Sequence, residues 1–424
     1  MYHLSNQIPV TDPGRRIPDP GKRIPVPGQR IPDPGQRIPD LSREFMAQHP
    51  DVIVKPRDAM PQGALTLPAA YYVDPDFFKR EMDGLFGRMW ICAGRTEQIE
   101  RPGQFFVRQV LGESIIVTRG PSHRVNAFYN VCRHRGTKLC TDEAGAFAGS
   151  IQCPYHAWTY DLDGRLIGAP HMEEVPHFRK EDYPLHDVRS DVWDGHIFLN
   201  FANDPQPLSA HLAGLPKKFR PWRMEELRLG HRIVYDVKAN WKLLIQNYSE
   251  CLHCPNLHPA LNRLSHYLSG ENDPLRATYM GGRMDLRPGV ATLSMDGTCP
   301  REFLPGLSGE DVRRVYYYAI FPNMLLSLHP DYMLVHTLWP LAPDRTINIC
   351  EWHFHPQTLS QPGFDAADAV EFWDMTNRQD WHVCELSQAG IASRAYTPGP
   401  YSNREDLLYA FDRMIVELHG AREA

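Results

Sequence analysis

The chain has 424 residues, 42% of them hydrophobic, and a formal net charge of −6 from 45 basic and 51 acidic residues. This is the composition of a globular protein with two or three domains, and it lacks the basic excess of a nucleic-acid or anionic-membrane binder. No run of about 18 apolar residues is present, so no membrane-spanning helix is predicted. Nine cysteines without a short, regular spacing predict a reducing environment, and we expect a cytoplasmic protein.

The chain begins with a proline-rich repeat. Residues 14–41 contain four seven-residue units, GRRIPDP, GKRIPVP, GQRIPDP and GQRIPDL. Proline removes backbone donors and fixes φ, and one isoleucine per unit buries too little apolar surface to offset chain entropy. We therefore expect residues 1–60 to be a disordered tail that acts as a spacer or binds a partner.

An ordered arm is predicted over 61–90, followed by a β domain over 91–205. Asp74-Pro75 has the form of a helix N-cap followed by proline at the first helical position. Apolar residues then recur at helical spacing: Phe78, Met82, Leu85, Phe86 and Met89. The β domain is predicted from alternating and β-branched segments at 104–110, 114–119, 125–130 and 196–201.

Two short motifs in this β domain each pair one cysteine with one histidine. They are C-x-H at 132–134 and C-x-x-H at 153–156, with eighteen residues between them. Two thiolates can hold one iron of a [2Fe–2S] cluster while two imidazoles hold the other. The alternative is a structural zinc site, although zinc sites usually take cysteines and histidines in like pairs. The predicted cluster ligands are Cys132, His134, Cys153 and His156.

The second half of the chain combines helices with an antiparallel sheet. A helix is predicted at 240–254 and a longer one at 365–391. Together with the β domain, these elements predict an α+β fold with a second domain over 206–424. Its strands are rich in aromatic and β-branched residues and are predicted at 233–237, 315–320, 333–339 and 346–354.

A second group of potential metal ligands follows residue 240. Glu250 and His253 are three residues apart and would share one helix face. Pro255 would then end or bend the helix, so that His258 turns back towards His253. Two imidazoles and one carboxylate on one side of Fe(II) form the facial triad of oxygen-activating enzymes. The alternatives are ordinary helix-end histidines, or a zinc site formed by Cys251, His253 and Cys254.

Together the two patterns resemble the catalytic α subunit of the Rieske non-haem iron oxygenases, over about residues 65–415. The resemblance rests on C-x-H-R-G-x₁₆-C-P-Y-H-x-W, and on N-W-K at 240–242 followed by E-x₂-H-x₄-H at 250–258. It implies an N-terminal Rieske [2Fe–2S] domain and a C-terminal helix-grip catalytic domain with an antiparallel sheet. It also implies a mononuclear Fe(II) and O₂ as co-substrate.

The resemblance implies roles for two carboxylates. The family's third iron ligand precedes an E-x-x-Q-x-G segment, which here assigns Asp380; Asp374 and Glu385 lie on less suitable helix faces. Glu250 matches the family's bridging carboxylate, which links the mononuclear iron to a cluster histidine, here His156, of a neighbouring subunit. That bridge implies a head-to-tail assembly, and the family suggests a homotrimer.

Glutamate at position 250, the E-C-x-H-C segment and residues 395–402 are similar to the branch that acts on quaternary ammonium compounds. This branch includes glycine betaine and proline betaine demethylases and carnitine oxygenase. The resemblance implies that hydroxylation next to nitrogen gives a carbinolamine, which collapses to formaldehyde and the demethylated amine. The alternatives are an aromatic-ring-hydroxylating oxygenase and, in another class, a non-catalytic iron–sulfur electron-transfer or zinc-binding protein.

A quaternary ammonium substrate needs aromatic faces around it, although strand aromatics usually pack the core. No G-x-G-x-x-G motif is present, so NAD(P)H would act through a separate flavin- or ferredoxin-type reductase. Gln246 departs from the glutamate or asparagine expected there. The substrate-pocket residues expected from the sequence are Gln246, Tyr317, Phe321 and Trp339.

Overall fold

The structure, a computed structural model, describes residues 60–61, 63–274 and 276–420. The described residues belong to one unit, Val54–Ala424. Apart from Met60, the tail expected over residues 1–60 lies outside the described residues and stays a prediction.

The arm that precedes the β domain begins with α1 (Ala70–Val73) and α2 (Pro75–Glu81) and continues as a π-helical turn, Met82–Phe86. The predicted cap of α2 is confirmed. Asp74 Oδ1 accepts a hydrogen bond from Asp76 N at 2.7 Å, with proline at the first helical position.

The β domain contains a seven-stranded antiparallel sheet with strand order β1-β10-β9-β4-β3-β2-β5 and a three-stranded meander, β6-β7-β8. The sequence did not predict β9 (Asp187–Trp193), because only three of its seven residues are buried or half-buried and they do not alternate along the strand. The strands are β1 (Ile91–Arg95), β2 (Gln104–Val110), β3 (Glu113–Arg119), β4 (Val125–Tyr129), β5 (Ala144–Ala146), β6 (Ser150–Gln152), β7 (Thr159–Asp161), β8 (Leu166–Gly168), β9 (Asp187–Trp193) and β10 (His196–Asn200).

A second seven-stranded antiparallel sheet, with strand order β11-β17-β16-β15-β14-β13-β12, forms the base of the other half. Three of its strands, Arg314–Ile320, Met324–Leu328 and Met333–Ala342, are mostly buried, which is why they read as apolar and aromatic runs. The predicted α+β fold is confirmed. The strands are β11 (Arg228–Val237), β12 (Glu271–Asn272), β13 (Tyr279–Asp285), β14 (Arg314–Ile320), β15 (Met324–Leu328), β16 (Met333–Ala342) and β17 (Arg345–Phe354).

Helices cover this sheet, and α9 (Ala367–Ile391) packs against α5 (Trp241–Tyr248) above it. Among the described helices, none is both long and apolar enough to cross a membrane. The helices are α3 (Leu208–Leu212), α4 (Leu215–Lys218), α5 (Trp241–Tyr248), α6 (Cys254–Leu257), α7 (Pro259–Leu264), α8 (Pro356–Leu359), α9 (Ala367–Ile391) and α10 (Asp406–Gly420). Short 3-10 turns lie at Thr96–Ile99, Met172–Glu174, Lys180–Asp182, Arg220–Trp222, Met224–Glu226 and Asp311–Arg313.

The helix predicted over 240–254 is two helices with a break between them. The first, α5, ends at Tyr248, and α6 begins at Cys254 with Pro255 in its first turn. Pro255 therefore starts the second helix, where its missing N–H costs nothing, and does not end the first. The break forms because the Glu250 carboxylate accepts hydrogen bonds from Leu252 N and the His253 ring, which compete with helical bonding.

The N-W-K motif at the start of α5 ties this helix to the N-terminal arm. Asn240 caps α5 by accepting from Lys242 N at 3.1 Å. The Lys242 ammonium is fully buried and lies 2.7 and 2.8 Å from the two Glu81 oxygens, while Trp241 Nε1 donates to Glu81 at 2.9 Å. Every charged atom of this pair is therefore satisfied inside the protein.

Replacing Glu81 with alanine should lower the free energy of unfolding by about 3–5 kcal/mol, because a buried ammonium is left without its counter-charge. Denaturant unfolding followed by circular dichroism measures this. The control is Lys79→Ala on the same helix: Lys79 pairs with Asp83 at 3.3 Å, but both are exposed. That change should cost below about 1 kcal/mol. Equal effects of the two substitutions would show that the buried pair contributes no more than a surface pair.

Candidate active site and metal centres

The cysteines of the β domain lie in two loops that are built alike. Cys132 N–H donates to Thr137 O, and Cys153 N–H donates to Trp158 O, each at 2.8 Å. Each cysteine carbonyl then accepts from the N–H four residues later, at 3.1 Å in both loops. Because each loop closes within six residues, the spacing of each motif determines the loop locally.

The two loops place the sulfur atoms inside and the imidazoles outside. Cys132 and Cys153 are each 3% exposed, whereas His134 is exposed and His156 is half-buried. The two histidine rings are 4.7 Å apart between centroids. Tyr160 OH lies 3.4 Å from Cys132 Sγ, a distance at which it can donate to a thiolate. These donors fit a two-iron cluster with one iron held by buried thiolates and the other by imidazoles near the surface.

The spread of these donors argues against a single zinc ion. Donors around one zinc ion lie within about 4.6 Å of one another, given a zinc–sulfur bond of about 2.3 Å. Within the described ranges, His253, His258 and Asp380 form a group whose donor atoms all lie within 4.8 Å of one another. The four predicted ligands of the β domain do not form such a group. The arrangement in the β domain therefore favours a binuclear group.

In the catalytic half, three donors from separate segments converge. His253 comes from the break after α5, His258 follows α6, and Asp380 lies on α9. Asp380 Oδ1 is 2.7 Å from His258 Nε2 and 3.4 Å from His253 Nε2. The two imidazole rings are 5.0 Å apart and nearly perpendicular, at 81°. Two imidazoles and one carboxylate on one side of a metal position fit the donor set of a facial triad.

The second nitrogen of each imidazole is held by an oxygen acceptor. Glu250 Oε1 lies 2.5 Å from His253 Nδ1, and Gln379 Oε1 lies 2.7 Å from His258 Nδ1. Each Nδ1–H therefore donates to its oxygen acceptor, and both Nε2 atoms face Asp380, where a metal ion can replace the protons that they share with the carboxylate. This oxygen–histidine arrangement is typical of metal sites, where the outer partner fixes the tautomer and ring orientation.

The charges of the site suit a cation. Burial would lower the pKa of His253, but its hydrogen bonds to Asp380 and Glu250 raise that pKa to about 10. Burial opposes ionisation of Asp380, and the hydrogen bonds from His253 and His258 outweigh it and lower the pKa of the carboxyl group. Asp380 therefore remains anionic and stabilises positive charge beside it.

A cavity of about 130 Å³ lies directly beside these three donors. Its floor is the edge of the sheet at Gly281 and Gly282, where a Cβ atom would lie 2.3 Å from Tyr317 O and 2.2 Å from Glu271 O. Glycine is required there because the neighbouring strands approach too closely for a side chain.

Aromatic rings form much of the cavity wall. Tyr248 donates its hydroxyl to Leu326 O at 2.9 Å, and Trp373 donates Nε1–H to Tyr332 OH at 2.8 Å, so both present ring faces with their polar atoms satisfied elsewhere. The Tyr317 hydroxyl is buried and has no hydrogen-bond partner within the described part of the chain. The aromatic residues that line the cavity are Tyr248, Tyr267, Tyr317 and Trp373.

Of the four pocket residues expected from the sequence, only Tyr317 lines this cavity. Gln246 donates to Asp412 Oδ1 at 2.6 Å, because it faces the C-terminal helix α10, which the sequence analysis did not predict. Phe321 packs on Phe411 of the same helix, with ring centroids 5.4 Å apart. The ring of Trp339 faces Arg108 of the β domain at 6.0 Å. The expectation that these three residues contact substrate is corrected accordingly.

Cys251 and Cys254 are joined by a disulfide bond. Sulfur atoms bonded to each other cannot act as thiolate ligands, so the alternative zinc site with Cys251, His253 and Cys254 is inconsistent with this structure. This pair departs from the reducing environment that the cysteine spacing predicts. The other seven cysteines are free.

Comparison of the sequence with known proteins shows the family of this chain. Residues 89–179 match the Rieske [2Fe-2S] domain, and residues 224–421 match the ring hydroxylating alpha subunit (catalytic domain). The chain is 32% identical to the glycine betaine monooxygenase oxygenase subunit of Pseudomonas aeruginosa, over 80% of this chain and 85% of that protein. It belongs to the Rieske oxygenases.

Two further comparisons agree with this. This Rieske oxygenase is 30% identical to the carnitine monooxygenase oxygenase subunit of Escherichia coli, over 80% of this chain and 87% of that protein. Its fold matches the crystal structure of the quaternary ammonium Rieske monooxygenase CntA in complex with L-carnitine, with a TM-score of 0.70 at 23% identity, over 85% of this chain and 99% of that chain. The enzyme is an oxidoreductase whose cofactors are a Rieske [2Fe–2S] cluster and a mononuclear iron.

Several residues of the site were not predicted. Gln379 stands next to Asp380 in the sequence, but its role depends on which way it points from α9. Tyr248 lies two residues before Glu250, at the end of α5. Trp373 is seven residues before Asp380, two helical turns away on the same face, and this spacing was the available signal.

Gln379→Leu should weaken binding of the mononuclear iron by about 10–100-fold, because His258 loses the acceptor that fixes its tautomer. Iron and sulfide analysis after dialysis against a chelator measures the loss, and the cluster absorbance should be unchanged. The control is Arg378→Gln, an exposed neighbour that pairs with Asp374 at 2.8 Å. Full iron retention in the leucine variant would contradict this role.

Proposed function

We propose that this Rieske oxygenase hydroxylates an N-methyl group of a small, betaine-like quaternary ammonium compound and so demethylates it. The observation that carries the proposal is the cavity beside His253, His258 and Asp380, whose lining includes four aromatic side chains. Relatives at 30–33% identity are named for glycine betaine and carnitine, which are both such compounds.

The ring faces suit a quaternary ammonium group. Such a group has no hydrogen to donate, so it is recognised through its positive charge by the electron-rich faces of aromatic rings. Tyr248 and Trp373 have their polar atoms bonded outside the cavity and offer only ring surface. Desolvation strengthens the attraction, worth about 0.5–2 kcal/mol for each well-placed ring.

The metal ligands that we propose follow from the two donor sets. Cys132, His134, Cys153 and His156 would hold the cluster, and His253, His258 and Asp380 the mononuclear iron. When bound, the cluster supplies electrons one at a time and the iron activates O₂. The cavity residues then hold the N-methyl carbon beside the metal position and exclude water. The hydroxylated carbon collapses to formaldehyde and the demethylated amine.

We propose that Glu250 links the two centres across a subunit boundary. Its two oxygens accept from Leu252 N and the His253 ring, and the side chain is partly exposed, so a remaining lone pair can accept one further hydrogen bond. His156 lies near the surface of its own subunit, where a neighbouring copy can reach it. If each subunit makes this contact with the next, the subunits form a closed head-to-tail ring, and we propose a homotrimer.

The electrons would come from NAD(P)H through a separate flavin- or ferredoxin-type reductase. The exposed ring of His134 offers such a partner a route to the cluster without any change of fold. Because NAD(P)H is a reductant of the cell interior, we place the enzyme in the cytoplasm.

The function is tested by a coupled oxidation assay with a surrogate reductase. We expect formaldehyde release from glycine betaine, proline betaine or carnitine, in a one-to-one ratio to substrate consumed. The comparison is a set of aromatic acids, from which hydroxylated products should not form. Hydroxylated aromatic products without formaldehyde would instead support the ring-hydroxylating alternative, and a protein without iron would overturn both.

Glu250→Gln should lower turnover at least about 100-fold, on the scale of losing a transition-state contact, while both metals stay bound. Glutamine keeps an acceptor oxygen for His253 but loses the charge that would hold a protonated His156. Iron content and the rate at which the reduced cluster is reoxidised by O₂ and substrate are the measurements. The control is Glu385→Gln, a carboxylate on α9 that accepts a hydrogen bond from Lys238 N at 3.0 Å. Normal reoxidation in the Glu250 variant would refute the bridge.

A further inference from the structure

Two arginines line the cavity, and they differ in their partners. Arg283 is neutralised, because its guanidinium lies 2.6 Å from Glu271 and 2.7 Å from Asp285. Arg404 is half-buried, and its guanidinium makes no ion pair with any residue in the described ranges. An uncompensated positive charge in a partly buried cavity favours an anionic ligand.

The acidic residues next to Arg404 are engaged elsewhere. Glu405 Oε2 accepts a hydrogen bond from Ser402 N at 2.7 Å. Asp406 accepts from Asn272 Nδ2 at 3.1 and 3.2 Å. The guanidinium of Arg404 is therefore available to pair with an anionic group of a ligand that enters the cavity.

The loop that carries Arg404 is held firmly. Gly399 O accepts from Thr66 N at 2.9 Å, and Tyr401 N donates to Ala64 O at 3.1 Å, so the loop pairs with the N-terminal arm. Tyr401 OH then donates to Asp412 of α10 at 2.6 Å. A cation on a loop held at both sides binds with little loss of entropy.

We infer that Arg404 binds the carboxylate of the substrate and thereby selects zwitterionic N-methylammonium compounds over simple cations. This inference rests on the proposed function and adds the anionic half of the ligand. The ammonium group would lie among the ring faces of Tyr248, Tyr317 and Trp373, and the carboxylate at Arg404. Guanidinium groups match carboxylates by paired N–H···O bonds, which orient the ligand as well as bind it.

This orientation has a chemical consequence. A carboxylate is itself a good ligand for iron, so a betaine that entered the cavity in reverse would bind the metal through its oxygens. Arg404 holds that group away and leaves the N-methyl end towards His253, His258 and Asp380. A cation without a carboxylate would leave the guanidinium unpaired and bind less well.

The test compares the wild-type holoenzyme with Arg404→Gln by anaerobic calorimetric titration and by formaldehyde release. The ligands are glycine betaine, carnitine and glycine betaine amide, an uncharged isostere of the carboxylate. We expect the variant to bind the two carboxylates at least tenfold more weakly, with a matching fall in kcat/KM, and the amide within twofold of wild type. Arg404→Lys should recover part of the loss.

The matched control is Arg413→Gln, an exposed arginine on α10 that pairs with Glu417 at 3.2 Å and does not line the cavity. Unchanged carboxylate affinity in the Arg404 variant, or equal weakening of the amide, would overturn the inference even if wild type releases formaldehyde. If wild type instead oxidises only aromatic acids, the proposed function fails. Loss of aromatic-carboxylate binding in the Arg404 variant would in that case still show that Arg404 binds the carboxylate of the ligand. A wild type that binds no carboxylate overturns the inference.

Discussion

The contact of Asp380 with His253 and His258 is the interaction on which the catalytic half depends. One carboxylate oxygen lies 2.7 and 3.4 Å from the two Nε2 atoms, and each imidazole is held from behind by another side-chain oxygen. Two segments far apart in the chain, residues 253–258 and α9, meet there because α9 packs across α5 above the sheet. The negative charge of Asp380, partly desolvated, is stabilised by positive charge on the imidazoles or on a metal ion between them.

The rest of the fold keeps these segments in position. The buried Glu81–Lys242 pair fastens the start of α5 to the N-terminal arm, and the same arm pairs with the loop that carries Arg404. One short segment therefore supports both α5, which leads into the segment of His253, and the loop that brings Arg404 to the cavity. In the β domain, by contrast, the two cysteine loops are closed by their own backbone hydrogen bonds and depend little on distant contacts.

Residue spacing was sufficient to predict those features of the fold and the site that are set by local geometry. The cysteine–histidine motifs, the Asp74 cap and the long antiparallel strands could be predicted because each depends on neighbours within a few residues. The prediction of one helix over 240–254 was wrong because the Glu250 carboxylate and the Ser249 hydroxyl form hydrogen bonds with nearby groups and break the helix. Helix propensities of the residues do not include such local side-chain bonds. The helix α10 carries a visible signal in Leu407, Leu408, Phe411 and Ile415, which are all buried at helical spacing.

The amino-acid sequence by itself determined the chemistry of this protein: the donor types, their order and the family to which the two motifs belong. Only the tertiary structure decided which side chains surround the substrate position. Gln246, Phe321 and Trp339 have suitable chemistry but face α10 or the β domain, whereas Tyr248, Trp373 and Arg404 face the cavity. The physical reason is that a ligand set is encoded by residue identity and short spacing, while a cavity wall depends on the packing of elements distant in the chain.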